Sequence, residues 1–71
     1  MGKLLYNIRT DYLCINGGID GNGRFYISVM DSNYFELNRT ESANRHDLKK
    51  NFKKICKHYD IPRRQRLMIA A

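Results

Sequence analysis

Residues 45–59 read Arg45-His46-Asp47-Leu48-Lys49-Lys50-Asn51-Phe52-Lys53-Lys54-Ile55-Cys56-Lys57-His58-Tyr59. Leu48, Phe52, Ile55, Cys56 and Tyr59 recur at i, i+4, i+7, i+8 and i+11, the spacing of one stripe along an α-helix. At 100° per residue the stripe fills a sector of about 100°. Lys50, Lys53, Lys54, Lys57 and His46 fall on the opposite side. The stretch predicts a helix that packs through one face and carries a lysine ridge on the other. Thr40 or Ser42 is placed to cap its start, with Glu41 near the positive end of its dipole. Asp60-Ile61-Pro62 ends it, because proline disfavours helical geometry in the residue before it. Pro62 also suits the first position of a second, short basic helix containing Arg63, Arg64 and Arg66.

Ahead of the helix the period drops to two. Leu4, Tyr6 and Ile8 alternate with polar residues, with Leu5 out of step. Tyr12-Leu13-Cys14-Ile15 is a second apolar run that continues the first or pairs with it across Thr10-Asp11. Asn16-Gly17-Gly18-Ile19-Asp20-Gly21-Asn22-Gly23 holds four of the five glycines and reads as a hairpin loop. In Arg24-Phe25-Tyr26-Ile27-Ser28-Val29-Met30, Phe25, Ile27 and Val29 face one side and Arg24, Tyr26, Ser28 and Met30 the other. Asp31-Ser32-Asn33 is a turn, and Tyr34 to Arg39 forms the next strand. Strands first and helices after is the α+β pattern. The expected architecture is a three- to four-stranded antiparallel sheet, one long amphipathic helix and a short C-terminal basic helix. The segments are residues 1–39, 40–60 and 62–71 of a single domain.

Seventy-one residues make one domain at most. A chain of roughly 60 residues buries only about 60% of its unfolded surface, so the core is thin. The hydrophobic fraction of 42%, with five tyrosines and three phenylalanines, argues against disorder. A thin core leaves little material to wall off a deep cleft, which favours binding over catalysis. The opening apolar run is interrupted by Asn7 and Arg9, short of a secretory h-region, and no stretch reaches a membrane span. Tyr6 stands where a myristoylation signal carries Ser or Thr. Two cysteines, Cys14 and Cys56, fit free thiols in a cytoplasmic chain better than a disulfide.

Charge is the most informative feature. The chain has 13 Lys and Arg against 7 Asp and Glu, a net of +6. Residues 1–44 carry Lys3, Arg9, Arg24 and Arg39 against Asp11, Asp20, Asp31, Glu36 and Glu41, a net of −1. Residues 45–71 carry Arg45, Lys49, Lys50, Lys53, Lys54, Lys57, Arg63, Arg64 and Arg66 against Asp47 and Asp60, a net of +7. A field concentrated in one third of a chain favours polyanionic partners. A face built only for solubility usually mixes both signs, as in i,i+4 Glu–Lys pairs; here Asp47 is the sole acid from Arg45 to Tyr59.

The expected function is a small basic nucleic-acid-binding accessory or regulatory protein. It would contact phosphates through Lys50, Lys53, Lys54 and Lys57, with Arg63, Arg64 and Arg66 adding to the surface if the short helix folds back. The uncovered sheet face offers a second candidate: Arg24 and Tyr26, with Ser28 and Tyr6 or Tyr12, as a platform for stacking bases. The alternative is a protein-binding inhibitor or modulator, of the kind a phage encodes, that docks on an acidic surface of a host protein. A membrane-surface helix is the weakest reading, because the sheet needs the helix's apolar face and Trp is absent. An exposed sheet edge or face leaves homodimerisation open.

Several chemistries fit poorly. Placing Gly23 at the invariant glycine of a calcium loop puts Gly18 and Val29 where acidic ligands belong. Cys56 and His58 point about 200° apart on a helix, so a zinc set is not expected. The glycine-rich stretch lacks a Walker lysine, and no nucleophile motif is present. His58 and Asp60 read as helix-ending residues rather than an acid–base pair. No metal, cofactor or enzymatic activity is therefore expected.

Overall fold

A computed structural model describes residues 2–62. Four strands precede one helix: β1 (Lys3–Arg9), β2 (Leu13–Ile19), β3 (Phe25–Asp31), β4 (Glu36–Ser42) and α1 (Arg45–His58). The strands pair antiparallel in sequence order, β1-β2-β3-β4, and α1 crosses the face of β2, β3 and β4. The α+β reading holds, with four strands. The short C-terminal helix expected at residues 62–71, with Arg63, Arg64 and Arg66, lies outside the described residues from Arg63 onward.

The core lies between α1 and one face of the sheet. Ile8, Ile15, Ile27 and Val29 from the strands meet Leu48, Phe52, Ile55 and Cys56 from the helix. The Tyr6 and Phe52 rings stack at 4.5 Å. Tyr6 is 5% exposed, so it does not belong to the open face where one reading put it. Its ring has room because Gly17 lies opposite: a Cβ there would meet Tyr6 Cδ2 at 3.3 Å and Ile27 Cγ1 at 3.5 Å.

Leu5 falls out of step because β1 carries a bulge. Leu4 pairs with Gly18 and Tyr6 with Gly17, leaving Leu5 as the extra residue. The bulge lets both Leu5 and Tyr6 enter the core. Gly18 is required at the same place, since any Cβ would run into the Lys3 carbonyl and sit 3.1 Å from Leu4 Cα. These two glycines correct the expected hairpin loop. Gly17-Gly18 is strand, packed against β1, and the turn is confined to the residues after Ile19.

The β2–β3 and β3–β4 turns share one construction. Asp20 Oδ1 accepts from the Asn22 and Arg24 N–H groups at 2.9 and 3.0 Å. Asp31 Oδ1 accepts from the Asn33 and Phe35 N–H groups at 2.8 and 3.0 Å. The fourth residue of each turn is left-handed: Gly23 with φ 79° and Tyr34 with φ 64°. Glycine takes that conformation freely and tyrosine does not. The β1–β2 turn is held instead by Thr10, whose Oγ1 accepts from Leu13 N–H at 2.9 Å.

The helix is shorter than residues 40–60. Thr40, Glu41 and Ser42 continue β4 in register with Ile27, Tyr26 and Phe25, so β4 runs past Arg39 and none of the three caps or flanks the helix. Asn44 is the N-cap and accepts from Asp47 N–H at 2.9 Å. Ser42 Oγ accepts instead from Asn51 Nδ2 at 2.9 Å, tying strand to helix. At the other end Asp60 is left-handed with φ 55°. Ile61 N–H reaches the Cys56 carbonyl at 2.8 Å and Asp60 N–H that of Lys57 at 3.2 Å. This is the Schellman arrangement, which folds Ile61 back into the core.

The two matched turns make a paired prediction. Replacing Tyr34 by Gly relieves a left-handed side chain and should raise unfolding stability by about 1 kcal/mol. Gly23→Ala imposes the same conformation on a side chain and should lower stability by about 1 kcal/mol. Urea midpoints of the two variants against the parent chain check both signs.

Candidate nucleic-acid interface

The helix presents its lysines where the periodicity put them. Lys49, Lys50, Lys53, Lys54 and Lys57 are all exposed, as are Arg45, His46 and His58. Leu48, Phe52, Ile55 and Cys56 are buried on the reverse side. At 1.5 Å rise per residue, the ridge from Lys50 to Lys57 is roughly 10 Å long. Among the described residues both recorded ion pairs belong to Arg39; none involves a helix lysine. Lys57 and His58 in the last turn face the negative end of the dipole, and Asp47 in the first turn faces the positive end. Among the described residues no acid lies within ion-pair distance of a helix lysine.

That arrangement has a cost. Lys49/Lys53, Lys50/Lys53, Lys50/Lys54, Lys53/Lys57 and Lys54/Lys57 are neighbours at i,i+3 or i,i+4. Like-charge pairs at these spacings each destabilise a helix by roughly 0.2–0.5 kcal/mol at low salt. Together they cost about 1–2.5 kcal/mol, a sizeable fraction of a small domain's total stability.

The sheet face away from the helix is a different surface. Asn7, Asn16, Ser28 and Arg39 lie side by side in one row across all four strands. Asn7 Nδ2 donates to Asn16 Oδ1 at 2.6 Å. Cys14, a buried free thiol, donates weakly to the same oxygen at 3.9 Å. A shallow depression of about 410 Å³ sits over Asn16, Ser28 and Arg39 of this row, edged by Leu4, Tyr26, Met30 and Asp20.

Of the two residues expected to stack bases, Tyr26 is on this face and half-buried. Arg24 is exposed in the turn, its carbonyl accepting from Asp20 N–H. The cation over Tyr26 is Arg39, with its guanidinium carbon 4.9 Å from the ring centroid. Sequence reading missed Arg39 because its position follows from the β3–β4 register, which sets Ser28 opposite Arg39. Ser28 is buried and offers little to a ligand. Tyr12 is 79% exposed but sits in the β1–β2 turn, off the face. The lysine ridge and the Tyr26–Arg39 pair are thus on opposite sides of the sheet, so the two candidate surfaces do not form one site.

Arg39 lies 3.9 Å from Asp20 Oδ2 and 4.0 Å from Glu36 Oε2. Asp20 is held below the usual aspartate pKa, first by the Arg24 backbone N–H, then by that of Asn22 and by the Arg39 and Arg24 charges. The folded state therefore favours the carboxylate. Its contribution to stability is present above the ordinary aspartate range and is lost as pH falls below about 4. Asp20→Asn keeps an acceptor for the turn but has no charge to lose. The parent chain should lose more stability than the variant between pH 5 and about pH 2.5, measured as urea midpoints across that range. Against family models, curated proteins and solved structures the chain has no match.

Proposed function

We propose that this domain binds nucleic acid through its phosphates, using the lysine ridge of α1, as a small accessory or regulatory protein. The observation that carries the reading is a row of exposed lysines on one helix face with no acid paired to them among the described residues. Cations that neutralise phosphates release condensed counterions, and the affinity gained is independent of sequence. The ridge is convex and lacks base-reading side chains such as Asn, Gln or Arg at its centre, so contact is with the backbone rather than with base edges. Polyanion binding also relieves the lysine–lysine repulsion within the helix, which a solvated face leaves in place.

Fluorescence anisotropy with labelled single-stranded RNA, single-stranded DNA and duplex DNA tests this. Four ridge contacts, Lys50, Lys53, Lys54 and Lys57, predict a loss of roughly 100-fold in affinity between 50 and 200 mM salt. The triple charge reversal Lys50→Glu, Lys53→Glu, Lys57→Glu should remove binding at 50 mM salt while the circular dichroism spectrum stays that of the parent. No binding of any probe by the parent chain, or undiminished binding by a folded triple variant, overturns the proposal.

A further inference from the structure

The sheet has two outer edges, and they are built differently. The outer edge of β1 is interrupted mid-strand by the bulge at Leu5 and flanked by Lys3 and Arg9. Bulges and edge cations discourage the addition of a foreign strand. β4 is regular from Asn38 to Ser42, in unbroken register with β3, and its irregularity is confined to the Leu37 end. It contains neither Lys nor Pro, and its one cation, Arg39, stands between Glu36 and Glu41. Among the described residues no strand pairs with its outer side. Most of its residues are exposed, with Leu37 at 54% and the preceding Phe35 at 70%.

Charge favours one register of a second copy of this strand, because only one centre sets opposite charges against each other. Suppose β4 of a second copy pairs with it antiparallel about a two-fold axis normal to the sheet. The axis keeps each residue on its own face, and paired residues must share a face. The central residue therefore pairs with its own copy. Centring on Arg39 opposes two arginines, and centring on Glu41 opposes two glutamates; like charges directly opposite are destabilising. Centring on Thr40 opposes Thr40 to Thr40, Asn38 to Ser42, and Arg39 to Glu41 twice. Arg39 and Glu41 both lie on the open face, opposite Ser28 and Tyr26. Arg39 is held only loosely within its own chain, at 3.9 and 4.0 Å from Asp20 and Glu36. Its five N–H donors leave capacity for a further carboxylate.

We propose that this chain forms a symmetric dimer by antiparallel β4–β4 pairing centred on Thr40, making one eight-stranded sheet. The same axis puts both α1 helices on one side, so the two lysine ridges face the same way. Five paired residues per strand make a contact smaller than the roughly 1,200–2,000 Å² of stable interfaces. The +6 charge on each copy opposes association. The dimer is therefore weak, with a dissociation constant on the order of 0.1 mM. Nothing in it depends on nucleic-acid binding.

Sedimentation velocity from about 10 μM to 1 mM in 150 mM salt tests the dimer. The expected result is a shift from monomer to dimer across that range. Glu41→Arg faces Arg39 with a like charge and should weaken association at least 10-fold. Adding Arg39→Glu to that variant recreates both cross-strand pairs with their signs exchanged and should restore it. Thr40→Cys, which meets only its own copy, should form a disulfide-linked dimer under mild oxidation, whereas Asn38→Cys, which meets Ser42, should not. This second measurement serves if the charge variants lose the parent's circular dichroism spectrum. A parent chain that stays monomeric to 1 mM overturns the proposal and leaves the edge to a strand of another protein. Equal association of folded Glu41→Arg and parent, or equal cross-linking of the two cysteine variants, also overturns it.

Discussion

The contact between the apolar stripe of α1 and one face of the sheet is the interaction on which the rest of this molecule depends. Leu48, Phe52, Ile55 and Cys56 close over Ile8, Ile15, Ile27 and Val29. Each such side chain contributes about 1.5–3 kcal/mol on full burial. One described helix serves four strands, so among the described residues one sheet face is covered and the other is not. The strand alternation follows: Ile8-Ile15-Val29 inside, Asn7-Asn16-Ser28-Arg39 outside. The core's width also explains the fittings around it. Gly17 makes room for the Tyr6 ring, the bulge turns Leu5 inward, and the Schellman turn brings Ile61 back over the cluster.

What the sequence made legible was periodicity; what it hid was register. The helix stripe and the Phe25–Met30 alternation were readable because a 3.6 or 2.0 period repeats several times within each. Element ends were not. Gly17-Gly18 carries the composition of a turn, yet it is strand because β1 approaches too closely for a side chain. Thr40 and Ser42 carry the composition of caps, yet they pair with Ile27 and Phe25, and Asn44 takes the role. The exposed lysines were legible because a helix fixes which side each residue faces. The Arg39–Tyr26 contact was not, because cross-strand neighbours depend on turn length. Each of the two Asp-headed turns sets that length by gathering two N–H groups onto one carboxylate.

The two sides of the sheet also differ in how they treat charge. On the open face Arg39 has acids on either hand, Asp20 and Glu36, and a ring beneath it. On the helix, lysine follows lysine with Asp47 alone at the far end. A single Glu at an i,i+4 position would have turned several repulsive pairs into attractive ones. The core places no demand on those outward positions, so packing does not account for the choice.

A ridge that costs about 1–2.5 kcal/mol unliganded has a thermodynamic consequence. The repulsion is a property of the folded helix, because in the unfolded chain the same lysines are farther apart and better screened. A polyanion laid along the ridge cancels it only where the helix exists. Binding and folding are thereby linked: a ligand that prefers the folded state stabilises it by an amount that grows with the logarithm of ligand concentration. In a domain with a thin core that increment is comparable to the burial of one core side chain. Under the proposed function, the feature that weakens the free domain is the one that a phosphate backbone would convert into stability.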